Sequence, residues 1–310
     1  MSESRGIVLN GTGGVYVVRT ASGEQFDASM RGRLKQEGVG LKLAVGDDVD
    51  INRDDRDGVW VITHIHPRRS ALARRAPGGA RGERIVAANV DQVIVVFAAA
   101  KPEPHVRMLD RFLVIAEGND IPAQIVLNKI DLVGGVSGVD EIAGEYERAG
   151  YRVHRTSIKS QVGLEGLRDV LAGKVSALTG PSGVGKSSLA NSLFPGLDLR
   201  VGEISESVNK GRHTTVGGLL IPIPGDAGGY VVDTPGLREV GMWGLPPETL
   251  DQCFPEFRPY LGECKFSDCS HDHEPHCAVR AAVEAGKVSR ARYESYLKLR
   301  LELTEATPEW

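Results

Sequence analysis

The chain has 310 residues, 41% of them hydrophobic and 25% charged, and a formal net charge of -4. That length exceeds one compact core and predicts two or three domains. The composition is ordinary for a globular protein, and the mild acidity gives no whole-molecule attraction to nucleic acid. The start, Met1-Ser2-Glu3-Ser4, has neither the basic residues nor the apolar stretch of a signal peptide. The longest apolar run, Val93 to Ala100, is too short to span a bilayer. A cytoplasmic chain with no membrane partner is expected, and a monomer is the default.

Residues 5–66 read as all-β. Arg5–Asn10, Val15–Thr20, Gln25–Ser29, Asp48–Asn52 and Val59–His66 are short, β-branched or alternating, and separated by glycine-rich turns. Five strands in so few residues predict a small closed barrel, an OB-fold first and an SH3-like barrel second. Residues 67–87 read as an irregular linker broken by Pro67, Pro77, Gly78, Gly79 and Gly82 and rich in arginine. From 88 to 244 strands alternate with helices, which predicts a parallel α/β sheet. Val93–Phe97, Gln124–Leu127, Arg152–Thr156, Val175–Thr179 and Tyr230–Val232 are its expected strands, and 106–116, 141–149 and 187–194 its expected helices. Residues 245–310 carry a cysteine/histidine cluster followed by helices over 278–285 and 290–303, the second N-capped by Ser289.

Two motifs carry the chemistry. Gly180-Pro181-Ser182-Gly183-Val184-Gly185-Lys186-Ser187, continuing to Ser188, lies between an expected strand and an expected helix. In that setting it is a phosphate loop: backbone N–H groups cradle phosphates, Lys186 supplies a point charge and Ser187 a hydroxyl for magnesium. Asn128-Lys129-Ile130-Asp131 selects the base. The Asp131 carboxylate accepts from the ring N–H and exocyclic amine of guanine, whereas adenine would leave it buried and unpaired. The Lys129 stem covers the base. The base motif precedes the phosphate loop, so both serve one nucleotide only if the domain is circularly permuted.

Further residues fill out the site. Asp233-Thr234-Pro235-Gly236 ends a strand where a carboxylate holds magnesium through water and a glycine N–H senses the γ-phosphate. Thr214 and Thr215 lie in a polar segment suited to order around magnesium; Thr215 is preferred as the direct ligand, Thr214 being the alternative. Ser157, in Thr156-Ser157-Ile158-Lys159, is read as bracing the base through backbone contacts, an ordinary turn being the alternative. Leu237 stands where many GTPases place a water-positioning glutamine. No residue is therefore assigned to activate water. Lys186 and Thr215 stabilise phosphate and magnesium, and His213 is an internal candidate for the missing group. A non-hydrolysing RNA-binding module and an ATP-dependent kinase are the competing readings; nothing supplies the kinase an acceptor site.

All four cysteines fall between Cys253 and Cys277. Cys264, Cys269, His271 and Cys277 have the spacing of one closed, structural zinc site, with His273 and His276 as alternatives for the imidazole. Cys253 is read as a small buried residue.

Together these motifs resemble the RsgA/YjeQ family of ribosome small-subunit-dependent GTPases. The barrel, Ala87-Ala88-Asn89-Val90-Asp91-Gln92, the base motif, the phosphate loop, Gly211-Arg212-His213-Thr214-Thr215, Asp233-Thr234-Pro235-Gly236 and the zinc pattern follow in the same order. The resemblance implies an N-terminal OB-fold barrel, a circularly permuted P-loop GTPase domain and a C-terminal zinc-binding helical domain. It also implies GTP and GDP, Mg2+ and Zn2+ as ligands, and slow GTP hydrolysis stimulated by the small (30S) subunit late in its maturation. The implied partners are that subunit and its rRNA, with further assembly factors. The family carries an apolar residue at the position of Leu237. Two departures stand out: Val216 replaces a frequent third threonine, and residues 1–66 carry eight Lys/Arg against ten Asp/Glu, a net of -2. RNA contact is therefore expected through one barrel face, the arginine linker, Lys210 and Arg212.

Overall fold

The structure, a computed structural model, describes residues 4–30, 43–55, 57–75, 83–197, 199, 218–233 and 245–306. Strands β1 (Ser4–Thr12), β2 (Val15–Thr20), β3 (Gln25–Met30), β4 (Asp48–Arg53) and β5 (Trp60–Ile65) form a closed barrel in the order β1-β2-β3-β5-β4. β3 and β5 run parallel, and an antiparallel β1–β4 ladder closes the ring. The topology is OB-like, the first of the two sequence readings. Alternation turns Val8, Val18, Ala28, Val49, Ile51 and Ile62 inward, where all are buried.

Three carboxylates of the acidic run in the barrel, Asp47, Asp48 and Asp50, have cationic or imidazole partners. Buried Asp47 accepts from the Arg68 guanidinium at 2.6 and 2.8 Å and from the Ala44 N–H at 2.8 Å. Asp48 meets Arg5 at 3.4 Å, and Asp50 meets His66 at 2.9 Å. Arg69 pairs with Asp91 at 2.8 Å. Of the first two arginines of the expected RNA-contacting stretch, Arg68 is largely enclosed by its pair and Arg69 stays exposed beside Asp91. That stretch is also not irregular throughout. β6 (Ala71–Arg75) and β7 (Glu83–Ala88) form an antiparallel ladder. The proline and glycines at 77–79 and 82 fall in the connection, outside the described residues, and they masked two short strands in a composition-based reading.

The chain continues through β8 (Gln92–Ala98), α1 (Val106–Glu117), β9 (Ala123–Asn128), α2 (Asp140–Arg148), β10 (Arg152–Arg155), α3 (Leu164–Leu171), β11 (Val175–Thr179), α4 (Lys186–Leu193), β12 (Leu219–Pro222) and β13 (Tyr230–Asp233). Two 3-10 segments, Pro247–Cys253 and Pro255–Tyr260, precede α5 (Ala278–Glu284) and α6 (Arg290–Ala306). Sequence reading missed α3 and β12. Both are short, and β12 ends in Pro222, which an edge strand paired only to β13 tolerates.

The described residues fall into two compact units. One combines 1–92, 165–178 and 187–239; the other combines 93–164, 179–186 and 240–310. In the first, β13 pairs in parallel with β11 and antiparallel with β12. Asp91 locks the barrel exit to β11: its N–H donates to the Val175 carbonyl at 2.9 Å, and its carboxylate accepts from the Val175 N–H at 2.8 Å. In the second unit, β10, β9 and β8 are parallel neighbours in that order. Every residue of β8 is buried, as a parallel strand covered on both faces requires.

A charged centre holds the second unit together. Arg292 of α6 is 1% exposed; it reaches Asp110 of α1 at 2.6 Å and Glu256 at 2.7 and 3.1 Å. Its guanidinium lies over the rings of Phe254, Tyr146 and Tyr151 at 4.7, 5.4 and 5.6 Å. Tyr146 of α2 donates to the same Asp110 at 2.7 Å. Burial opposes the Arg292 charge, but Glu256 and Asp110 outweigh it and hold the group firmly protonated. Ser289 caps α6, accepting from the Arg292 N–H at 3.3 Å, and also bonds Glu145. Cys253 is buried, and burial followed by the Glu117 charge pushes its thiol up to about 12. The thiol stays neutral, in keeping with the sequence reading.

Arg292→Met should leave Asp110 and Glu256 buried without their counter-charge and cost about 3–5 kcal/mol of stability, read from the denaturant midpoint. A pH effect comes from His154 on β10, whose Nε2 lies 2.8 Å from the Gln124 Oε1. Burial first, and Arg152 second, lower its pKa from 6.5 to about 4. The folded protein thus keeps the ring neutral while the unfolded chain takes up a proton. The His154 contribution is present above pH 6.5 and is lost as pH falls toward 4. Wild-type stability should fall more steeply than that of His154→Gln between pH 7 and pH 5, measured by urea unfolding.

Candidate guanine-nucleotide site and metal centre

The two motifs meet in the second unit. Asn128 ends β9, almost fully buried, and its Nδ2 donates to the Val184 carbonyl at 3.0 Å. Lys129 adopts a left-handed backbone (φ 60°), and its ammonium donates to the carbonyls of Gly183 at 2.6 Å and Lys101 at 2.7 Å. A non-glycine residue held there costs of order 1–3 kcal/mol, and the two charge-assisted bonds hold it in place. The lysine therefore fastens the phosphate loop as well as presenting its stem. Ile130 is buried beneath, its N–H on the Thr156 carbonyl at 3.3 Å.

The strand end at 156–157 has a role that sequence reading placed in the backbone. The Thr156 hydroxyl donates to the Asn128 Oδ1 at 3.1 Å, and the Ser157 hydroxyl donates to the Asp131 Oδ1 at 2.5 Å. Both hydroxyl residues are fully buried, while Asp131 stays half-buried at the opening. Each base-motif side chain that needs a fixed direction is thus clamped by a neighbouring hydroxyl. The available signal was two consecutive hydroxyl residues at the end of a strand beside the base motif.

Glycine is required in the loop for different reasons at its two ends. A Cβ on Gly180 (φ +132°) would lie 2.0 Å from the Val96 carbonyl oxygen of β8. A Cβ on Gly185 (φ +94°) would lie 2.8 Å from the Asn128 Nδ2, the atom that ties the two motifs. The Lys186 ammonium donates to the carbonyls of Pro181 at 2.6 Å and Gly180 at 2.8 Å, across the loop it is expected to serve. Ser182 and Gly183 are exposed, Val184 is buried, and Ser187 and Ser188 continue into α4 with Ser187 largely buried. Asp233 ends β13 in the first unit. Thr214, Thr215, His213, Gly236 and Leu237, and with them Lys210, Arg212 and Val216, lie outside the described residues.

The expected metal ligands also converge. One ligand atom from each of Cys264, Cys269, His271 and Cys277 lies within 4.8 Å of the others. Cys264 and Cys277 sulfurs are 3.9 Å apart, and the His271 Nδ1 is 3.6 and 3.4 Å from them. A tetrahedron with Zn–S bonds of about 2.3 Å and a Zn–N bond of about 2.0 Å has edges of about 3.8 and 3.5 Å, so the spacing of these three donors suits zinc, and Cys269 completes a set that could hold it. The Cys264 sulfur accepts from the Ala278 N–H at 3.3 Å, and the Cys277 sulfur from the Arg280 N–H at 3.4 Å. The His273 side chain is 82% exposed and faces Asp272, away from the four. Glu274 ties the loop: burial works against its charge, but the Ser270 hydroxyl and N–H groups of Ser270, Glu274 and Asp272 hold its carboxyl down at about 2.

Comparison with known proteins places this geometry. The RsgA GTPase family matches residues 65–243, and the RsgA N-terminal domain family matches residues 5–61. A protein of Gemmatimonas aurantiaca named small ribosomal subunit biogenesis GTPase RsgA is 62% identical over 304 residues, covering 97% of this chain and 98% of that protein. The crystal structure of YjeQ from Thermotoga maritima matches with a TM-score of 0.81 at 37% identity, covering 98% of this chain and 99% of that one. That of YloQ, described as a circularly permuted GTPase, matches with a TM-score of 0.77 at 29% identity over 100% of this chain and 98% of that one.

Gly185→Ala should displace the Asn128 amide and strain the loop backbone. At about 1–3 kcal/mol of strain, guanine-nucleotide affinity should fall by about 5- to 150-fold, measured by titration with a fluorescent GDP analogue.

Proposed function

This chain belongs to the RsgA GTPase family, and on that premise we propose that it hydrolyses GTP on the small ribosomal subunit during that subunit's biogenesis, with its nucleotide state setting its hold on rRNA. Its enzymatic class is GTP hydrolase. The observation that carries the reading is the direct fastening of 128–129 to the carbonyls of 183–184, which sets the base selector beside the phosphate cradle.

The residues divide the work as follows. Asp131, aimed by Ser157, accepts the two guanine N–H donors, and the Lys129 stem lies along the base. Loop N–H groups from 182 to 187 and the Lys186 ammonium take the phosphates; Lys186 exchanges its carbonyl partners for β and γ oxygens. Ser187 and Thr215, with Thr214 the alternative, would hold magnesium, which would supply positive charge to the phosphates. Asp233 would help to hold that metal, and the Gly236 N–H would meet the γ-phosphate. Leu237 offers no hydrogen bond to the attacking water, so hydrolysis by the protein alone is slow, on the order of 10⁻⁴ to 10⁻² per second. The small subunit completes the site. Zinc at Cys264, Cys269, His271 and Cys277 is structural, one ion, with no open ligand position. The domains are an OB barrel over 1–66, an arginine-rich connection over 67–87, the permuted GTPase over 88–244 and the zinc region over 245–310. The protein acts as a cytoplasmic monomer alongside other assembly factors. No helix among the described residues is long and apolar enough to cross a membrane.

Purified small subunits should raise the GTP turnover rate by at least an order of magnitude; an unchanged rate would remove the subunit from the mechanism. Asp131→Asn should lose GTP affinity and gain affinity for xanthosine nucleotide, whose base presents an acceptor where guanine has a donor. A retained preference for GTP in competition binding would dismiss Asp131 as the selector.

A further inference from the structure

The imidazole of the Cys3His cluster has two faces, and only one belongs to the metal. The His271 Nδ1 points at the Cys264 and Cys277 sulfurs. Its Nε2 lies 3.3 Å from the Oδ2 of Asp251, with His271 3% exposed. Asp251 is not a member of the ligand set, and it comes from a different element, the 3-10 segment Pro247–Cys253. We propose that Asp251 is the outer partner of the metal-bound imidazole. It fixes the tautomer that leaves Nδ1 free to bind zinc, and it ties the zinc loop to the segment that follows the 234–244 stretch. The proposal rests on the zinc reading of the cluster.

The carboxylate is itself held for this task. Its Oδ1 accepts the N–H of Gln252 at 2.8 Å, which leaves Oδ2 directed at the ring. The segment beneath cannot drift, because Leu250 and Cys253 are buried. On the other side, the Tyr293 hydroxyl donates to the His271 carbonyl at 2.6 Å and the Tyr296 hydroxyl to the Ser270 carbonyl at 2.8 Å. The rings of Tyr296 and Phe257 stand 6.2 and 6.5 Å from the imidazole. Backbone and ring are thus positioned independently of the metal, and the one polar group facing Nε2 is an acceptor. A neutral imidazole can offer only one N–H; with Nε2–H given to Asp251, the lone pair falls on Nδ1. The nearby negative charge also makes that lone pair a stronger donor, the usual effect of a carboxylate behind a metal-bound histidine.

The test uses the full-length chain and zinc. Competition with a chromophoric chelator should show Asp251→Ala binding zinc about 10–100-fold more weakly than wild type, with Asp251→Asn, which keeps an acceptor oxygen, losing less. In the zinc-loaded wild type, the His271 Nε2–H should give a proton resonance protected from solvent exchange, and the alanine variant should lose it. A merely structural Asp251 would lower stability without moving either reading. An alanine variant within twofold of wild-type affinity, with the Nε2–H still protected, would sink this proposal alone. A wild type that takes up no zinc would sink the zinc reading and this proposal with it. Should the alanine variant not fold, the asparagine variant decides by zinc affinity alone, because its amide oxygen would still hold the Nε2–H: weaker zinc binding supports the role, and equality overturns it.

Discussion

Two side chains at the end of one strand, Asn128 and Lys129, grip the phosphate loop by its carbonyls, and the rest of the nucleotide site is arranged around that grip. The Asn128 amide can reach the Val184 carbonyl because position 185 has no Cβ. The amide is itself turned by the Thr156 hydroxyl, and Asp131 is turned by the next residue along. Lys129 accepts an unfavourable backbone conformation to place its ammonium between two carbonyls. The Asn128, Thr156 and Ser157 bonds are buried or half-buried, where an unpaired group would be costly, and the two exposed Lys129 bonds are charge-assisted. The base motif and the loop at 180–187 are therefore fastened to each other directly.

The grip also explains why chain order does not matter. Ligand sites in parallel sheets form beyond the carboxyl ends of the strands, whichever strand comes first. Here β8, β9 and β10 deliver the 101 turn, the base motif and the 156–157 hydroxyls to one place. The phosphate loop needs only to leave the end of its own strand beside them. Permutation changes which segments run onward. Asp233 and the 3-10 segment that carries Asp251 are near neighbours along the chain.

The C-terminal region is not appended loosely. Arg292 of α6 reaches Asp110 of α1 and Glu256 together, under three aromatic rings, and Arg111–Glu302 and Arg258–Glu117 add further pairs to the same helix α1. The two outer pairs are partly exposed and contribute little. The central one is different, because any member left alone would be a buried charge. It gives α1, which follows the 101 turn that Lys129 holds, a fixed position against the helix that packs beside the zinc loop.

The amino-acid sequence by itself determined the family and most of the elements. A phosphate loop works through consecutive backbone N–H groups, and a base selector through a carboxylate two residues beyond a lysine. Four candidate metal ligands fall within fourteen residues. Each is a local pattern, legible because the interacting atoms belong to one short segment. Buried parallel strands such as β8 were legible for the same reason, as continuous apolar runs. Tertiary structure alone decided the pairings that join distant segments. Nothing in the window around Arg292 distinguishes a core guanidinium from the solvated arginines of the same helix. Asp251 reads as one more acid in a polar turn until the fold brings His271 to it. The arginine at 68 reads as one more member of a basic stretch until buried Asp47 closes on it. A charged side chain is committed by what the rest of the chain places opposite it, and that is settled by folding, not by neighbours in sequence.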